Sequence, residues 1–237
     1  MEYEKLDERY VQTRFGMLHL LASTGAGAPL IFLHGLGAST LVWKRLVACL
    51  PTRSSVYLID LLGHGMSAAP RIEYGIGVQV EALMNVVQSE GTGAPVLVGH
   101  SYGGWVAARY AADVGACGGL VLIDSAGIRD ADAGDAGAPS GNTNIERLVE
   151  MNNNKRYVIE SIVRNRHAGR LGKEDLMRIG ARTLIIWGEH DSVVGMECAH
   201  AYNSIPGSRL EVISGARHSP HYTHAGEVSG LIMGFVC

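Results

Sequence analysis

The chain has 237 residues and a formal net charge of −3, and 47% of its residues are hydrophobic while 18% are charged. This length suits one domain with a full hydrophobic core, and the composition is that of a globular protein rather than a disordered one. The chain has no run of Lys and Arg, which argues against nucleic acid as a partner. The charged first ten residues predict no secretory signal. No apolar stretch approaches the ~20 residues of a membrane span, so we expect no membrane span and a cytoplasmic location.

Strand-like and helix-like segments alternate along the chain, which favours a largely parallel sheet with helices on both faces. A hairpin is predicted over residues 10–23, with its turn at Gly16. Six short apolar runs typical of buried parallel strands follow: Pro29–Leu33, Val56–Ile59, Pro95–Val98, Leu120–Ile123, Thr183–Trp187 and Leu210–Ile213. The helical patterns between and after them are Leu41–Leu50, Val78–Ser89, Tyr102–Val114 and Gly226–Phe235.

A long insertion separates the fourth apolar run from the fifth. Its first part, residues 129–144, is rich in Gly, Ala, Asp and Pro and predicts a mobile loop. Helical patterns then follow at Ile145–Met151, Tyr157–Arg164 and Glu174–Ile179. We expect residues 127–180 to form a small helical lid over the carboxyl ends of the strands, and residues 1–126 and 181–237 to form the core domain.

The strongest chemical signal is the segment from Gly99 to Gly103, GHSYG, which fits the nucleophile-elbow pattern G-x-S-x-G between a predicted strand and a predicted helix. The sharp turn favours glycine on both sides of Ser101, because a side chain there would clash. The turn raises the hydroxyl of Ser101 above the sheet edge, in front of a helix N-terminus with free N–H groups. The sequence therefore predicts Ser101 as a nucleophile.

A serine nucleophile needs a base, and on this kind of fold the chain order is Ser, then an acid, then His. Asp191, in WGEHD, and His218, in GARH, each follow a predicted strand in that order. We therefore predict His218 as the general base and Asp191 as its orienting carboxylate. Asp124 also ends a strand and is the alternative acid, although the GEHD context favours Asp191.

Glycines around a predicted strand end indicate an oxyanion hole at HGLG, residues 34–37. Its expected donors are the backbone N–H groups of Leu36 and Tyr102. Asp60 and Ser67 are expected to form a turn, and His64 and His100 to be structural or pocket-lining.

The segments HGLGAS, DLLGHGMS, GHSYGG, LIDSAG, LIIWGEHD and GARHSPH together resemble the α/β-hydrolase family over nearly the whole chain. Within that family, the sequence resembles the small group of carboxylesterases, C–C bond hydrolases, cofactor-free perhydrolases and epoxide hydrolases. The resemblance implies an eight-stranded, mostly parallel sheet with a lid, and the site roles given above. Epoxide hydrolases and haloalkane dehalogenases carry Asp at the elbow, so Ser101 argues against those two. Arg217 stands where the family usually has glycine, which bears on the geometry of the His218 loop.

The predicted activity is hydrolysis of carboxylic esters with short to medium acyl chains. Three alternatives use the same residues: cleavage of a C–C bond in a vinylogous diketone, a ligand receptor with little turnover, and a perhydrolase. No cofactor or metal is predicted, because the chain has no phosphate loop or CxxC pair, and Pro220 interrupts the spacing of His218, His221 and His224. The sequence does not indicate an oligomeric state.

Overall fold

The structure is a computed structural model that describes residues 1–129, 145–153 and 155–236. Within these ranges, eight strands form one sheet in the order β1-β2-β4-β3-β5-β6-β7-β8. β1 and β2 form the predicted hairpin, β2 pairs antiparallel with β4, and all the other pairs are parallel. The strands are β1 (Asp7–Thr13), β2 (Gly16–Ser23), β3 (Ala26–Leu33), β4 (Ser54–Ile59), β5 (Val96–His100), β6 (Gly119–Ile123), β7 (Thr183–Gly188) and β8 (Arg209–Ile213).

Helices connect the parallel strands and cover both faces of the sheet. The α-helices are α1 (Lys44–Cys49), α2 (Ile76–Ser89), α3 (Tyr102–Asp113), α4 (Ile145–Met151), α5 (Arg156–Arg164), α6 (Lys173–Met177), α7 (Met196–Tyr202), α8 (Pro220–Thr223) and α9 (Ala225–Val236). Short 3-10 helices cover Tyr3–Lys5 and Thr40–Trp43. None of the described helices combines the length and the apolar character that a bilayer crossing needs.

The alternation of side chains along β3 explains the two cores. Ile31 and Leu33 belong to the core that packs against α2 and α3, whereas Leu30 and Phe32 belong to the core that packs against α1 and α9. Successive strand residues point to opposite faces, so a strand that is apolar throughout must be covered on both sides. The predicted fold class, an eight-stranded and mostly parallel sheet between helices, is confirmed.

The helices differ from the prediction at residues 41–50 and at two short helices that were not predicted, α7 and α8. The helix expected over residues 41–50 is a 3-10 turn followed by α1, and the backbone N–H of Thr40 at its start donates to the Asp60 carboxylate at 2.7 Å. That bond draws the segment towards the end of β4. The seven residues of α7, which follow Gly195, form too short a pattern to be detected by periodicity.

The insertion between β6 and β7 carries α4, α5 and α6, which we call the inserted helices. Of these, α4 and the residue that follows it rest on the loops after β3 and β4. A Cβ built on Gly37 would lie 3.1 Å from the carbonyl O of Leu148 in α4, and Asn152 Nδ2 donates to Gly63 O at 3.1 Å. The mobile loop predicted for residues 129–144 lies outside the described residues apart from Arg129, and the boundaries of a lid over 127–180 stay a prediction.

Candidate active site

The turn between β5 and α3 is strained at Ser101. Its φ of 51° and ψ of −114° put a non-glycine residue in a sparsely populated region. A Cβ on Gly103 would lie 2.2 Å from the carbonyl O of Leu33, and a Cβ on Gly99 would lie 2.4 Å from that of Gly103. Only glycine fits at the two flanking positions. The turn therefore has the geometry of the nucleophile elbow.

Three predicted side chains meet at this edge of the sheet. The Oγ of Ser101 lies 3.1 Å from Nε2 of His218, and Nδ1 of His218 lies 2.8 Å from Oδ2 of Asp191. The other Asp191 oxygen, Oδ1, accepts the backbone N–H groups of Val193 and Val194 at 2.8 and 3.1 Å. These bonds fix the carboxylate so that His218 donates from Nδ1, which leaves Nε2 free to accept the proton of the serine hydroxyl.

Asp124, the alternative acid, lies nearby but does not hydrogen-bond to His218. Its Oδ1 accepts the backbone N–H of Gly188 at 2.8 Å, and its Oδ2 has no partner among the residues that the structure describes. The residue is fully buried and has a left-handed φ of 43°. Burial, together with the negative charge of Asp191, raises the pKa of Asp124 to about 8. With this pKa, Asp124 is mostly protonated, and so mostly uncharged, at pH 7.

This protonation predicts how the stability of Asp124→Asn depends on pH. Between the ordinary pKa of 3.8 and the folded value of about 8, the folded state keeps the Asp124 proton and the unfolded state loses it. The wild type therefore loses stability as pH rises through this window, by at most about 1.4 kcal/mol per pH unit. Asn cannot ionise, so the free energy of unfolding of the variant should rise relative to wild type from about pH 4 to about pH 8 in urea titrations. A difference that stays constant with pH would contradict a neutral Asp124.

The two expected oxyanion donors are positioned beside Ser101. Tyr102 is the first residue of α3, and Leu36 lies in the turn after β3. Within the described parts of the chain, neither backbone N–H has a hydrogen-bond acceptor. A Cβ on Gly35 would lie 3.4 Å from the Cβ of Ser101, so the Leu36 turn passes directly over the nucleophile. Two free N–H groups can therefore meet a negative oxygen that forms at this point.

Asp60 and Ser67 act as the turn formers that the sequence predicts. Asp60 accepts from His19 Nδ1 at 2.8 Å and from the backbone N–H groups of Thr40 and Met66 at 2.7 and 2.9 Å. Burial alone would raise the pKa of Asp60, but these bonds and nearby His34 hold it at about 2. Ser67 Oγ donates to the carbonyl O of Asp60 at 2.5 Å. The pair fixes the loop after β4.

The remaining histidines around the elbow are buried. His64 Nδ1 lies 3.2 Å from Leu62 O, and burial lowers the pKa of His64 to about 3. His221 packs between the rings of Trp43 and His100. Unlike His218, it has no hydrogen bond to Ser101 within the described part of the chain. The contact of His100 with the His218 loop was not predicted, because a hydrogen bond between residues 118 positions apart leaves no local pattern in the sequence.

Potential metal ligands occur in one group within residues 1–129, 145–153 and 155–236, formed by His100, Asp124 and His218, with ligand atoms within 4.8 Å of one another. His218 and His100 already take part in the hydrogen bonds of the site, and Asp124 binds Gly188.

Arg217, at the family's usual glycine position, has an exposed side chain. Its presence leaves His218 within hydrogen-bond distance of both partners.

A separate cavity of about 420 Å³ opens beside α4 and residues 38–41, and Ser101 is not among its lining residues. Four of its polar lining residues are already paired, because the Tyr3 hydroxyl meets that of Thr40 at 3.1 Å and the Asp60 carboxylate accepts from His19. Ser101, Asp191 and His218 do not line this cavity, which is therefore separate from the site that they form.

Comparisons with known proteins agree with this architecture. An uncharacterized protein of Mycobacterium tuberculosis is 31% identical over 100 residues, which is 42% of this chain and 29% of that protein. This chain therefore spans less than a third of that relative's length. Lipase LipV of the same organism is 40% identical over 105 residues, or 42% of this chain and 38% of the lipase. The solved structure of Est816, described as an N-acyl homoserine lactone degrading enzyme, covers 96% of this chain and 100% of its own with a TM-score of 0.82 and 24% identity, which is a likeness of fold. The model of the alpha/beta hydrolase family matches residues 30–231, most of the sequence, and the chain therefore belongs to that family.

Proposed function

We propose that this chain hydrolyses carboxylic esters by acyl transfer to water, with Ser101 as nucleophile, His218 as general base and Asp191 as the carboxylate that orients His218. The observation that carries the proposal is the unbroken line of hydrogen bonds from Ser101 through His218 to Asp191 at a strained strand–helix turn. A serine hydroxyl is a weak nucleophile at neutral pH, and a base within hydrogen-bond reach activates it. The base in turn needs a partner that fixes its tautomer, and Asp191 provides one.

In the first half of the reaction, Ser101 Oγ attacks the ester carbonyl carbon while its proton passes to His218 Nε2. The carbonyl oxygen becomes an oxyanion that accepts the N–H groups of Leu36 and Tyr102. The tetrahedral intermediate then collapses, the C–O bond to the alcohol breaks, and His218 returns its proton to the leaving alkoxide. Asp191 stabilises the imidazolium while it exists. The products of this half are a free alcohol and an acyl group on Ser101.

In the second half, water replaces the alcohol. His218 Nε2 removes a proton from the water, and the resulting hydroxide attacks the acyl carbon. Collapse of the second tetrahedral intermediate breaks the bond to Ser101 Oγ, which recovers its proton from His218. The carboxylic acid leaves and the site returns to its starting state. Each step uses only these side chains, two backbone N–H groups and water.

The proposed substrates are small esters with short to medium acyl chains. Two of the similar proteins support an ester-type bond: LipV carries the name of a lipase, and Est816 is described as degrading N-acyl homoserine lactones. A lactone is a cyclic ester and is open to the same attack. Of the inserted helices, α4 packs against Gly37, the residue after Leu36, so α4 is the helix placed to limit the acyl group.

Initial rates on p-nitrophenyl esters, from acetate to a long acyl chain, test this proposal. We expect clear turnover with a maximum at short or medium chains, because α4 lies against the turn of Leu36 and leaves less room for a long acyl group. Ser101→Ala run at the same concentration measures the background. Rates at background for every ester, from a protein that circular dichroism shows to be folded, would contradict ester hydrolysis and favour the C–C hydrolase or receptor alternatives.

A further inference from the structure

His100 connects the nucleophile strand to the loop of the base. It is the last residue of β5 and directly precedes Ser101, and its Nε2 lies 2.7 Å from the backbone carbonyl O of His218. A carbonyl oxygen can only accept, so Nε2 carries the hydrogen and donates it. Burial holds the pKa of His100 well below its usual range, so the ring is neutral and Nδ1 carries no proton.

The His100 ring is held on two sides. Its centroid lies 4.9 Å from the His218 ring and 4.2 Å from the His221 ring, and His221 packs in turn against Trp43 at 4.7 Å. On the opposite side, a Cβ built on Gly35 would lie only 3.0 Å from His100 Nδ1. The ring therefore fills the space between the loop of His218 and the turn of the candidate oxyanion donors, and it has little freedom to move.

The bond to His100 acts on His218 itself. Elsewhere in this loop, the backbone N–H of His190 donates to Ala216 O at 2.8 Å, and Ser219 N–H donates to Arg217 O at 2.7 Å. Those two bonds shape the loop before and after His218. The His100 bond instead ties the carbonyl of His218 to the residue adjacent to Ser101, so nucleophile and base share one support at the end of β5.

We propose that His100 is a positioning residue that sets the separation of Ser101 Oγ and His218 Nε2 by fixing the His218 backbone to the strand that carries Ser101. This inference rests on the proposed function, because it needs His218 to act as the base for Ser101. The separation that it maintains is 3.1 Å. A displacement of about 1 Å at a reacting group can lower the rate by about 10²-fold.

Three substitutions separate the hydrogen bond from the volume of the ring. His100→Gln carries an amide N–H at the reach of Nε2, so it can still donate to His218 O. His100→Asn carries its amide at the position of Nδ1, which is too short for that bond. His100→Met has a side chain about as long as that of Gln but has no hydrogen-bond donor. The Gln and Asn variants each bury one amide and differ by one methylene, and the Met variant controls for that difference in side-chain length.

Steady-state kinetics on the best p-nitrophenyl ester should split the variants. We expect Gln to keep kcat close to wild type, and Asn and Met to lose about 10- to 100-fold in kcat with KM nearly unchanged, since the base is misplaced while the substrate site remains. Equal losses in Gln, Asn and Met, a loss confined to KM, or full activity in all three would each overturn the proposal.

A second readout does not depend on turnover. The proton that His218 Nδ1 shares with Asp191 gives a downfield NMR signal, which we expect to persist in the Gln variant and to shift or broaden in the Asn and Met variants. An unchanged signal in the Asn and Met variants would contradict the positioning role. The esterase activity of wild type and of Ser101→Ala is measured in the same series. A wild type without esterase activity would refute the proposed ester hydrolysis, whereas the NMR signal would still test the role of His100.

Discussion

Replacement of Ser101 by Ala should remove ester hydrolysis while leaving the fold intact. The hydroxyl is the group that the candidate base can activate, and loss of a serine nucleophile lowers kcat by about 10⁴- to 10⁶-fold in enzymes that work this way. Alanine keeps a Cβ and the same backbone bonds, including that from Ser101 N–H to Ile123 O at 3.0 Å. The strained φ of 51° is common to both residues, so the thermal unfolding midpoint should change little.

Ser229→Ala is a matched control for this change. Ser229 is a buried serine of α9, and its hydroxyl donates to the carbonyl O of Cys49 at 3.1 Å and not to Ser101, His218 or Asp191. Its removal should leave kcat near the wild-type value, although the unpaired carbonyl lowers stability by about 1 kcal/mol. Activity retained by a folded Ser101→Ala protein would show that another group attacks the ester.

The second large effect is expected at the acid, where Asp191→Asn should lower kcat by about 10⁴-fold. An amide at this position can donate to His218 Nδ1, which stabilises the tautomer with its hydrogen on Nε2 and removes the acceptor that Ser101 needs. The amide also lacks the charge that stabilises the imidazolium. Asp124 does not control the tautomer of His218 in this way, because it binds the N–H of Gly188 and not His218.

Asp124→Asn is therefore the matched control, an equal change of carboxyl to amide in a neighbouring residue. Since Asp124 is mostly uncharged at pH 7, its replacement by a neutral amide leaves the charge of the site nearly unaltered, and Oδ1 can still accept the Gly188 N–H. We expect its kcat at pH 7 to fall far less than that of Asp191→Asn, measured on the same ester. A reversed order of the two effects would make Asp124 the working acid.

Local pattern and chain order were sufficient to predict the fold class and the meeting of Ser101, Asp191 and His218. The central strands are short, apolar and buried on both faces, and such runs are recognisable without tertiary information. Parallel strands bring their carboxyl ends to one edge, so residues that follow different strands come together although they are far apart in sequence. Their catalytic roles stay a prediction until activity is measured.

Features that depend on tertiary packing could not be predicted in the same way. The protonation of Asp124 follows from complete burial beside Asp191, which a single sequence does not reveal. The bond between His100 and the His218 carbonyl requires β5 and the loop after β8 to be placed side by side. Short helices such as α7 and α8 have too few residues for a periodic signal, and Pro220 marks only the start of α8.

Covalent trapping of the nucleophile tests the central claim most directly. Wild-type protein is incubated with a p-nitrophenyl phosphonate, which reacts with an activated serine but is not released by water on the timescale of turnover, and the product is analysed by intact-protein mass and peptide mapping. We predict one phosphonyl group per chain, located on Ser101, with loss of esterase activity in proportion to labelling and no labelling of Ser101→Ala. Labelling at another residue in step with inactivation, or full inactivation without an adduct on Ser101, would contradict the assignment of Ser101 as the nucleophile.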